Sequence, residues 1–223
     1  MPLILALQIP PALPIITSMG KKLQLAVLCG GQSTEHEISV RSAKNIIAAL
    51  NPDKYAVTVV YITHAGQWYL VKNPSLFIDN DPAVLVQTQQ LDPITVVLGD
   101  SHQPWQSLDN PQQRYAVDCV FPMLHGTFGE DGVLQGLLDL LNLPYVGAGT
   151  QSSVLCMQKD VTKHLLRAAD IPTTDWVTLY SQDALSVNYQ ELVDKFGKNL
   201  FIKPASLGSS VGIMPVDNQI KFD

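Results

Sequence analysis

The segment 23–63 constrains the fold most strongly. In it, a mostly apolar run is followed by two glycines, a helical repeat and a β-rich run. Leu23–Leu28 ends shortly before Gly30-Gly31, which is typical of a buried strand that enters a tight turn. Apolar residues then recur near helical spacing as far as Leu50, where Asn51-Pro52 ends the pattern. Tyr55–Thr63 is rich in β-branched and aromatic residues. Strand, helix and strand in this order predict a parallel pair with a right-handed crossover.

Shorter patterns extend this α/β organisation along the chain. Before residue 150, they predict four strands and one helix: strands at Gln67–Val71, Ile94–Leu98, Val117–Met123 and Pro144–Val146, and a helix at Gly132–Leu141. After it, they predict helices at Gln158–Ala169 and near Asp183–Phe196, and strands at Trp176–Leu179 and Leu200–Lys203. We therefore expect a Rossmann-like domain with a parallel sheet over residues 21–150 and a second domain over residues 151–223.

The first twenty residues do not match this pattern. Residues 1–18 are apolar but include four prolines and no positively charged segment. Proline interrupts helices, and the stretch is too short to span a bilayer, so we predict neither a signal peptide nor a membrane anchor. Residues 1–20 are predicted to form a disordered N-terminal extension, and Met19 is an alternative start of the protein.

Composition excludes several function classes. Charged residues make up 15% of the chain and the formal net charge is −6, without a basic stripe, so nucleic acid is not an expected partner. The three cysteines, Cys29, Cys119 and Cys156, lack the CxxC spacing of zinc sites and are odd in number. We predict three buried thiols in a reducing cytosol, and no disulfide framework.

The first glycine turn, GGQSTEHEIS, places a carboxylate at the carboxyl end of the first strand. Thr34 and Glu37 match a T-x-x-E capping box, and Glu37 can also pair with Arg41 one turn later. Glu35 is not needed for that box, and the edge where it lies is where open α/β sheets bind ligands. It is a candidate site residue, with stabilisation of the helix dipole as the alternative.

A second polar loop, HGTFGEDGVLQG, follows the strand predicted at Val117–Met123. Three glycines within eight residues predict a compact loop that brings His125, Glu130 and Asp131 close to one crevice. The alternative is an ordinary strand-to-helix loop in which Asp131 is the N-cap of the helix.

A third glycine-containing segment, GAGTQSS, resembles the dinucleotide motif G-x-G-x-x-G. Ser152 stands where the third glycine is needed, and the segment does not belong to the first strand–helix–strand unit. A nicotinamide or flavin enzyme is therefore a minor alternative.

A lysine followed by a glycine-serine loop predicts an anion site near the C-terminus. Lys203 ends an apolar strand, and Pro204 favours extended backbone before it. The loop 207–212 offers backbone N–H groups and the hydroxyls of Ser209 and Ser210, which is typical of a nest that binds phosphate. A lysine beside such a nest favours a polyphosphate, so we expect a phosphate lid at the tip of a hairpin. Lys159 lies on a predicted helix, and its position alone favours an ordinary solvated lysine.

These motifs together resemble one known family. GGQSTEHEIS, HGTFGEDGVLQG, LPYVGAG, KDVTKHLLRAA and FIKPASLGSSVGI occur in this order. They are similar to D-alanine–D-alanine ligases, ATP-grasp enzymes of peptidoglycan synthesis, from about Leu23 to the C-terminus. The resemblance implies that residues 151–223 are part of an ATP-grasp lid domain. It also implies D-alanine and ATP as substrates, Mg²⁺ or Mn²⁺ as cofactor, a cytoplasmic location and a homodimer of the full-length protein.

The resemblance also implies a role for each matched residue. Catalytic roles fall to Glu35, which holds the amino group of the first D-alanine, and to Ser209, which is linked to that glutamate. Substrate-binding roles fall to Ile38, His125 and Glu130. ATP-binding roles fall to Lys159, Lys203, Gly208, Ser210 and Gly212. Gln158 departs from the family, which has aspartate before the first lysine.

The family continues beyond the point where this sequence stops. Its adenine-binding residues and metal ligands are expected after Asp223, so we predict that residues 1–223 alone lack ligase activity and bind ATP weakly or not at all. Two alternatives within the family remain open: a D-alanine–D-lactate ligase, whose discriminating loop is also absent, and a non-catalytic truncated remnant.

Overall fold

The computed structural model describes residues 21–182 and 187–218, which form nine strands and seven helices. The strands are β1 (Leu23–Gly30), β2 (Tyr55–Ile62), β3 (Trp68–Val71), β4 (Asp92–Val96), β5 (Trp105–Ser107), β6 (Arg114–Tyr115), β7 (Cys119–Pro122), β8 (Leu200–Ile202) and β9 (Met214–Val216). The helices are α1 (His36–Ala49), α2 (Pro74–Asp79), α3 (Pro82–Gln87), α4 (Val133–Leu140), α5 (Thr150–Met157), α6 (Lys159–Ala168) and α7 (Tyr189–Phe196). The predicted N-terminal extension lies outside the described residues.

Seven strands form one sheet in the order β6-β5-β4-β3-β2-β1-β7. The three strands at one end are parallel, as predicted: β1 pairs with β2 on one side and with β7, the last strand, on the other. The strand predicted at Pro144–Val146 is reduced to a single parallel bridge between Tyr145 and Val120.

The prediction of a parallel sheet holds only for β2, β1 and β7, because β3 to β6 are all antiparallel to their neighbours. The connection from β2 to β3 is a short turn, in which the Thr63 carbonyl accepts from Gly66 N–H and Thr63 N–H donates to Gln67. A parallel neighbour needs a crossover of a dozen residues or more, and this turn is too short for one.

Apolar side chains cover both faces of β1 and β2. On one face α1 contributes Val40, Ala43 and Ile47 to a cluster with Val27 and Val59. On the other face α4 contributes Leu134 and Leu138 to a second cluster that includes Ala26 and Leu28. Full burial of each large aliphatic side chain stabilises the fold by about 1.5–3 kcal/mol. This packing fixes the carboxyl ends of β1 and β7, where the polar loops begin.

Two short helices were missed in the sequence because their first residues are prolines. Asn73 and Asp81 precede Pro74 and Pro82, and no helix was predicted at either pair. Each side chain instead caps a helix: Asn73 Oδ1 accepts from Ser75 N–H at 3.1 Å, and Asp81 Oδ1 accepts from Ala83 N–H at 2.9 Å. Proline suits the first helical position because it has no N–H to leave unpaired.

Beyond residue 150 the chain buries little. Of the described residues after Ser153, only Val216 is fully buried. The predicted hairpin is present, since β8 and β9 pair antiparallel with Leu200 opposite Val216. The strand predicted at Trp176–Leu179 is wrong: this segment has no strand partner, and Trp176 instead packs under the Arg167 guanidinium of α6, 4.3 Å from its ring centroid.

The second predicted helix of this region is present as α7, and the first residues of the predicted range, 183–186, lie outside the described part of the chain.

The prediction of three buried thiols holds for Cys29, whereas Cys119 is half-buried and Cys156 is exposed. Among the described helices, none combines the length and the apolar content that crossing a membrane requires.

Candidate active site

The first glycine turn leaves the Glu35 side chain unused by the helix it precedes. Glu35 occupies the N-cap position of α1, but no side chain caps the helix, so the predicted capping box of Thr34 and Glu37 is wrong. The helix begins one residue later than that box requires. Glu37 Oε1 lies 3.7 Å from His64 Nε2, and the predicted pair with Arg41 does not form among the described residues.

Two buried polar residues of α1 fix this turn to the sheet. His36 Nδ1 donates to the Gly31 carbonyl at 2.6 Å, and Ser39 Oγ donates to the Met123 carbonyl at 2.5 Å. Ser39 Oγ also accepts from Gly30 N–H at 2.9 Å. The ends of β1 and β7 are thereby tied to one helix.

Sequence reasoning missed both residues, although a signal was present. His36 and Ser39 fall on the same helical stripe as the buried Val40, Ala43 and Ile47. A polar residue on a buried stripe needs a hydrogen-bond partner, which predicts an anchoring role.

The second polar loop lies directly against the first. Gly126 has φ +69°, and a Cβ atom at this position would lie 2.6 Å from Ser33 Oγ and 2.8 Å from Glu35 Oε2. Glycine is favoured here by its backbone conformation, and a side chain would also force the ends of the Ser33 and Glu35 side chains to shift. The structure thus brings Glu35 and the loop that begins at His125 together.

Side chains of this loop also contact one another. Glu130 Oε2 accepts from Gly126 N–H at 2.8 Å, and Glu130 Oε1 lies 3.9 Å from His125 Nδ1. His125 Nε2 lies 3.3 Å from Ser42 Oγ on α1. Asp131 is not the N-cap, a position that Gly132 takes, but its Oδ1 accepts from Val133 N–H at 3.2 Å.

A cavity of ≈ 310 Å³ lies at the carboxyl edge of β1. Its walls include Gly30, Gly31, His125 and Phe128. Glu35, Ile38 and Glu130 are not among its lining residues, so the cavity adjoins the group of carboxylates without containing it. Ile38 is 43% exposed on α1.

The glycine-serine loop between β8 and β9 reaches the first glycine turn. Ser209 Oγ donates a hydrogen bond of 2.5 Å to Glu35 Oε1, across 174 residues of sequence. Ser209, Ser210 and Gly212 all have positive φ, at 48°, 62° and 70°. Successive residues in this region turn the backbone tightly, and such turns direct N–H groups toward one side.

Lys159 lies against the same loop. Its backbone N–H donates to the Ala205 carbonyl at 2.9 Å, and its ammonium donates to the Leu207 carbonyl. The Lys203 side chain is exposed, with Nζ 5.9 Å from the Phe201 ring centroid. Burial, and then the positive charges of Lys203 and Arg167, lower the pKa of Lys163. The face of α6 next to the loop is therefore rich in positive charge, as an anion site requires.

The GAGTQSS segment is held by α4 rather than opening toward a ligand. Thr150 Oγ1 donates to Asp139 Oδ2 at 2.5 Å, and Tyr145 Oη donates to Asp139 Oδ1 at 3.0 Å. The Thr150 hydroxyl therefore has a structural role beside the sheet, and so does that of Tyr145, two residues before the segment.

Within the described residues, one group of three side chains could ligate a metal: His36, Glu37 and His64. Two imidazoles and one carboxylate do not suit Mg²⁺, which prefers oxygen ligands in an octahedral arrangement. This group of three side chains is therefore not a magnesium site.

Comparisons with known proteins agree with the fold. The family model for the D-ala D-ala ligase N-terminus matches residues 24–148, and that for the D-ala D-ala ligase C-terminus matches residues 165–223. A D-alanine–D-alanine ligase of Coxiella burnetii is 55% identical over 205 residues, which cover 92% of this chain and 55% of that relative. One from Proteus mirabilis is 42% identical over 203 residues, covering 91% and 56%.

Solved structures give the same result. The D-alanine–D-alanine ligase from Coxiella burnetii superposes with a TM-score of 0.83 at 55% identity, covering 90% of this chain and 56% of that one. VanG D-Ala:D-Ser ligase from Enterococcus faecalis superposes with a TM-score of 0.77 at 33% identity, covering 90% and 57%.

The Rossmann-like sheet and the lysine-flanked lid loop define an α/β protein of the ATP-grasp class. Within that class, the chain belongs to the D-alanine–D-alanine ligase family, because a family model matches more than half of it. This membership replaces the nicotinamide alternative. The chain spans about half the length of the curated relatives it matches.

Proposed function

We propose that the protein to which this chain belongs is an ATP-dependent ligase that joins two D-alanine molecules into D-alanyl-D-alanine for peptidoglycan synthesis. The observation that supports this proposal best is the hydrogen bond from Ser209 to Glu35. It joins the predicted phosphate loop to the turn that is predicted to hold the first D-alanine. Both halves of one reaction site are then present in this chain.

The chemistry proceeds through an acyl phosphate. The carboxylate of the first D-alanine attacks the γ-phosphorus of ATP, the bond to ADP breaks, and an acyl phosphate forms. The amine of the second D-alanine then attacks the acyl carbon, loses a proton and expels inorganic phosphate. Both steps depend on placing the reactants and on neutralising phosphate charge.

Residues of this chain divide into two groups in this mechanism. Glu35 accepts hydrogen bonds from the ammonium of the first D-alanine, and its bond with Ser209 orients the carboxylate. Lys159 and Lys203 offset the negative charge of the phosphates, together with the backbone N–H groups of the loop 208–212. The Lys159 ammonium must leave the Leu207 carbonyl to do so.

The remaining predicted residues surround the substrate. Ile38 would contact the methyl group of D-alanine from α1, and its exposed side chain is able to do so. His125 and Glu130 would add polar contacts from the second loop. Gly208, Ser210 and Gly212 form the phosphate-covering turn.

Several further properties belong to the same proposal. The reaction takes Mg²⁺ or Mn²⁺, whose ligands lie outside the described residues. The protein acts in the cytoplasm, where its substrates are made, and is a homodimer at full length. D-lactate or D-serine is a possible second substrate, and the similarity to VanG D-Ala:D-Ser ligase makes D-serine worth testing.

The test uses a chimera, called here the Coxiella chimera. It consists of residues 1–223 of this chain followed by the part of the Coxiella burnetii relative that continues beyond the match. Purified chimera is incubated with ATP, magnesium and D-alanine, and ADP release is followed by a coupled assay. Parallel reactions contain L-alanine, or D-alanine with D-lactate or D-serine, and products are identified by mass spectrometry.

The unaltered Coxiella relative is the positive control. We expect ADP release that depends on D-alanine, with D-alanyl-D-alanine as the main product. Equal release with L-alanine, or none from a chimera that unfolds as cooperatively as the control, would contradict the proposal. A depsipeptide or a D-alanyl-D-serine product would instead support the alternative second substrates.

A further inference from the structure

We propose that His36, Glu37 and His64 bind a divalent transition metal of the zinc, cobalt or nickel type, independently of the ligase reaction. Their ligand atoms lie within 4.8 Å of one another, at the start of α1 and just after β2. Two imidazoles and a carboxylate are the donor set that such metals prefer.

His36 is already held in the tautomer that a metal requires. Its Nδ1 donates to the Gly31 carbonyl at 2.6 Å, which leaves the lone pair of a neutral ring on Nε2. A backbone carbonyl that fixes the second ring nitrogen is the usual support of a metal-binding histidine. At present Nε2 accepts from the Tyr61 hydroxyl at 3.1 Å, and the metal would take its place.

His64 and Glu37 stand close to the separation that two ligands of one metal have. His64 Nε2 lies 3.7 Å from Glu37 Oε1. Two ligands bound about 2.0–2.1 Å from a tetrahedral metal are about 3.4 Å apart. Their side chains are 66% and 83% exposed, so an ion can reach them from solvent and small movements can complete the site.

The present arrangement of the two rings has to change when the metal binds. His36 and His64 are stacked, with centroids 3.8 Å apart and planes at 22°. Ring nitrogens direct their lone pairs in the ring plane, and those of stacked rings do not converge. The exposed His64 must therefore turn and the Tyr61 hydroxyl must move aside, while the buried His36 ring stays in place.

Local charge sets the expected affinity. The start of α1 carries a partial positive charge that opposes a cation, and the Glu37 carboxylate in the first turn offsets it. We expect a metal dissociation constant in the micromolar range, because the site has only three protein ligands and the field of the helix opposes a cation. Mg²⁺ should not compete, because the site offers only one oxygen-bearing side chain.

The experiment uses the 223-residue chain, without an affinity tag and freed of metals. Zn²⁺ is titrated by calorimetry, and Co²⁺ by the visible absorption that low-coordinate cobalt–histidine sites give. We expect one ion per chain, at least a tenfold loss of affinity in His64→Ala and in Glu37→Gln, and loss of binding as the histidines protonate at acid pH. Excess Mg²⁺ should leave the titration unchanged.

His102→Ala is the matched control, because His102 is an exposed histidine outside the cluster. It should bind zinc like the parent chain. The proposal is overturned if the parent chain does not bind zinc, if His64→Ala binds with parental affinity, or if His102→Ala loses as much as His64→Ala. A thermal unfolding curve for each variant distinguishes a lost ligand from a lost fold.

Discussion

At the residue scale, the Glu35 carboxylate is the place where two distant segments meet. Its Oε1 accepts from Ser209, and its Oε2 faces Gly126. Neither contact serves the helix that follows, since no side chain caps α1. A carboxylate that Ser209 orients and that its own helix does not use keeps acceptor capacity for the ammonium of the proposed substrate.

The first prediction concerns Lys203, the cation that precedes the lid loop. In the Coxiella chimera, Lys203→Ala should weaken ATP binding by about 1.5–3 kcal/mol, the usual value of a hydrogen bond to a charged group. This corresponds to roughly a 10- to 150-fold higher dissociation constant. D-alanine binding should change much less. Nucleotide binding is measured by calorimetry.

Lys195→Ala is the control for that measurement, because Lys195 is an exposed lysine of α7 whose ammonium lies 5.1 Å from the Phe196 ring centroid. It should bind ATP like the parent. An unchanged dissociation constant in Lys203→Ala would mean that Lys203 is only a solvated strand end.

At the element scale, the β8–β9 hairpin depends on the conformation of its loop. Gly212 has φ +70°, and a Cβ atom there would lie 2.7 Å from Pro204 Cγ. Gly208, four residues earlier, has open space around its Cα. The two glycines of one loop therefore differ in what a methyl group would meet.

The second prediction uses this difference. Gly212→Ala should strain the loop by about 1–3 kcal/mol and speed hydrogen exchange of the β9 amides. Gly208→Ala should leave exchange near the parental rate, because an added methyl contacts nothing. Exchange is measured by mass spectrometry on the 223-residue chain. Equal protection of β9 in both variants would be evidence against the loop geometry described.

Sequence patterns predicted the elements whose burial is continuous. β1, β2, α1 and α4 are long enough for their apolar period to be recognised, and all four are present. β5 and β6 have only three and two residues, too few for any period. The Trp176–Leu179 prediction failed because Trp176 packs against α6 and the segment pairs with no strand.

At the scale of the whole molecule, burial is divided unequally along the chain. The two core clusters draw only on residues from 26 to 143. In contrast, α6 and α7 have no buried residue, and Phe201 of β8 is 61% exposed. Segments with few buried apolar contacts open most easily.

The third prediction follows from this division. Limited proteolysis of the 223-residue chain should remove the region after about residue 150 first and leave a resistant fragment that contains β1 to α4. Cleavage sites are mapped by mass spectrometry at several times. A region after residue 150 that outlasts the N-terminal sheet would contradict the proposed order of stability.

The site could be predicted from sequence only in part. The loops were recognisable because glycine, serine, histidine and acidic residues follow apolar strands. The contact between Glu35 and Ser209 spans 174 residues, and no local pattern encodes such a distance; only the family resemblance suggested it. The anchoring roles of His36 and Ser39 were missed because the helical pattern was followed through its apolar residues alone.

The central claim is that the first glycine turn and the lid loop form one reaction site, and a double-mutant cycle tests it most directly. In the Coxiella chimera, kcat/KM for D-alanine is measured for the parent, Glu35→Gln, Ser209→Ala and the double variant. We predict a coupling energy of about 0.5–3 kcal/mol between the two positions, as expected for groups in contact. Effects that add within about 0.3–0.5 kcal/mol would show that the two residues act independently and would contradict the claim.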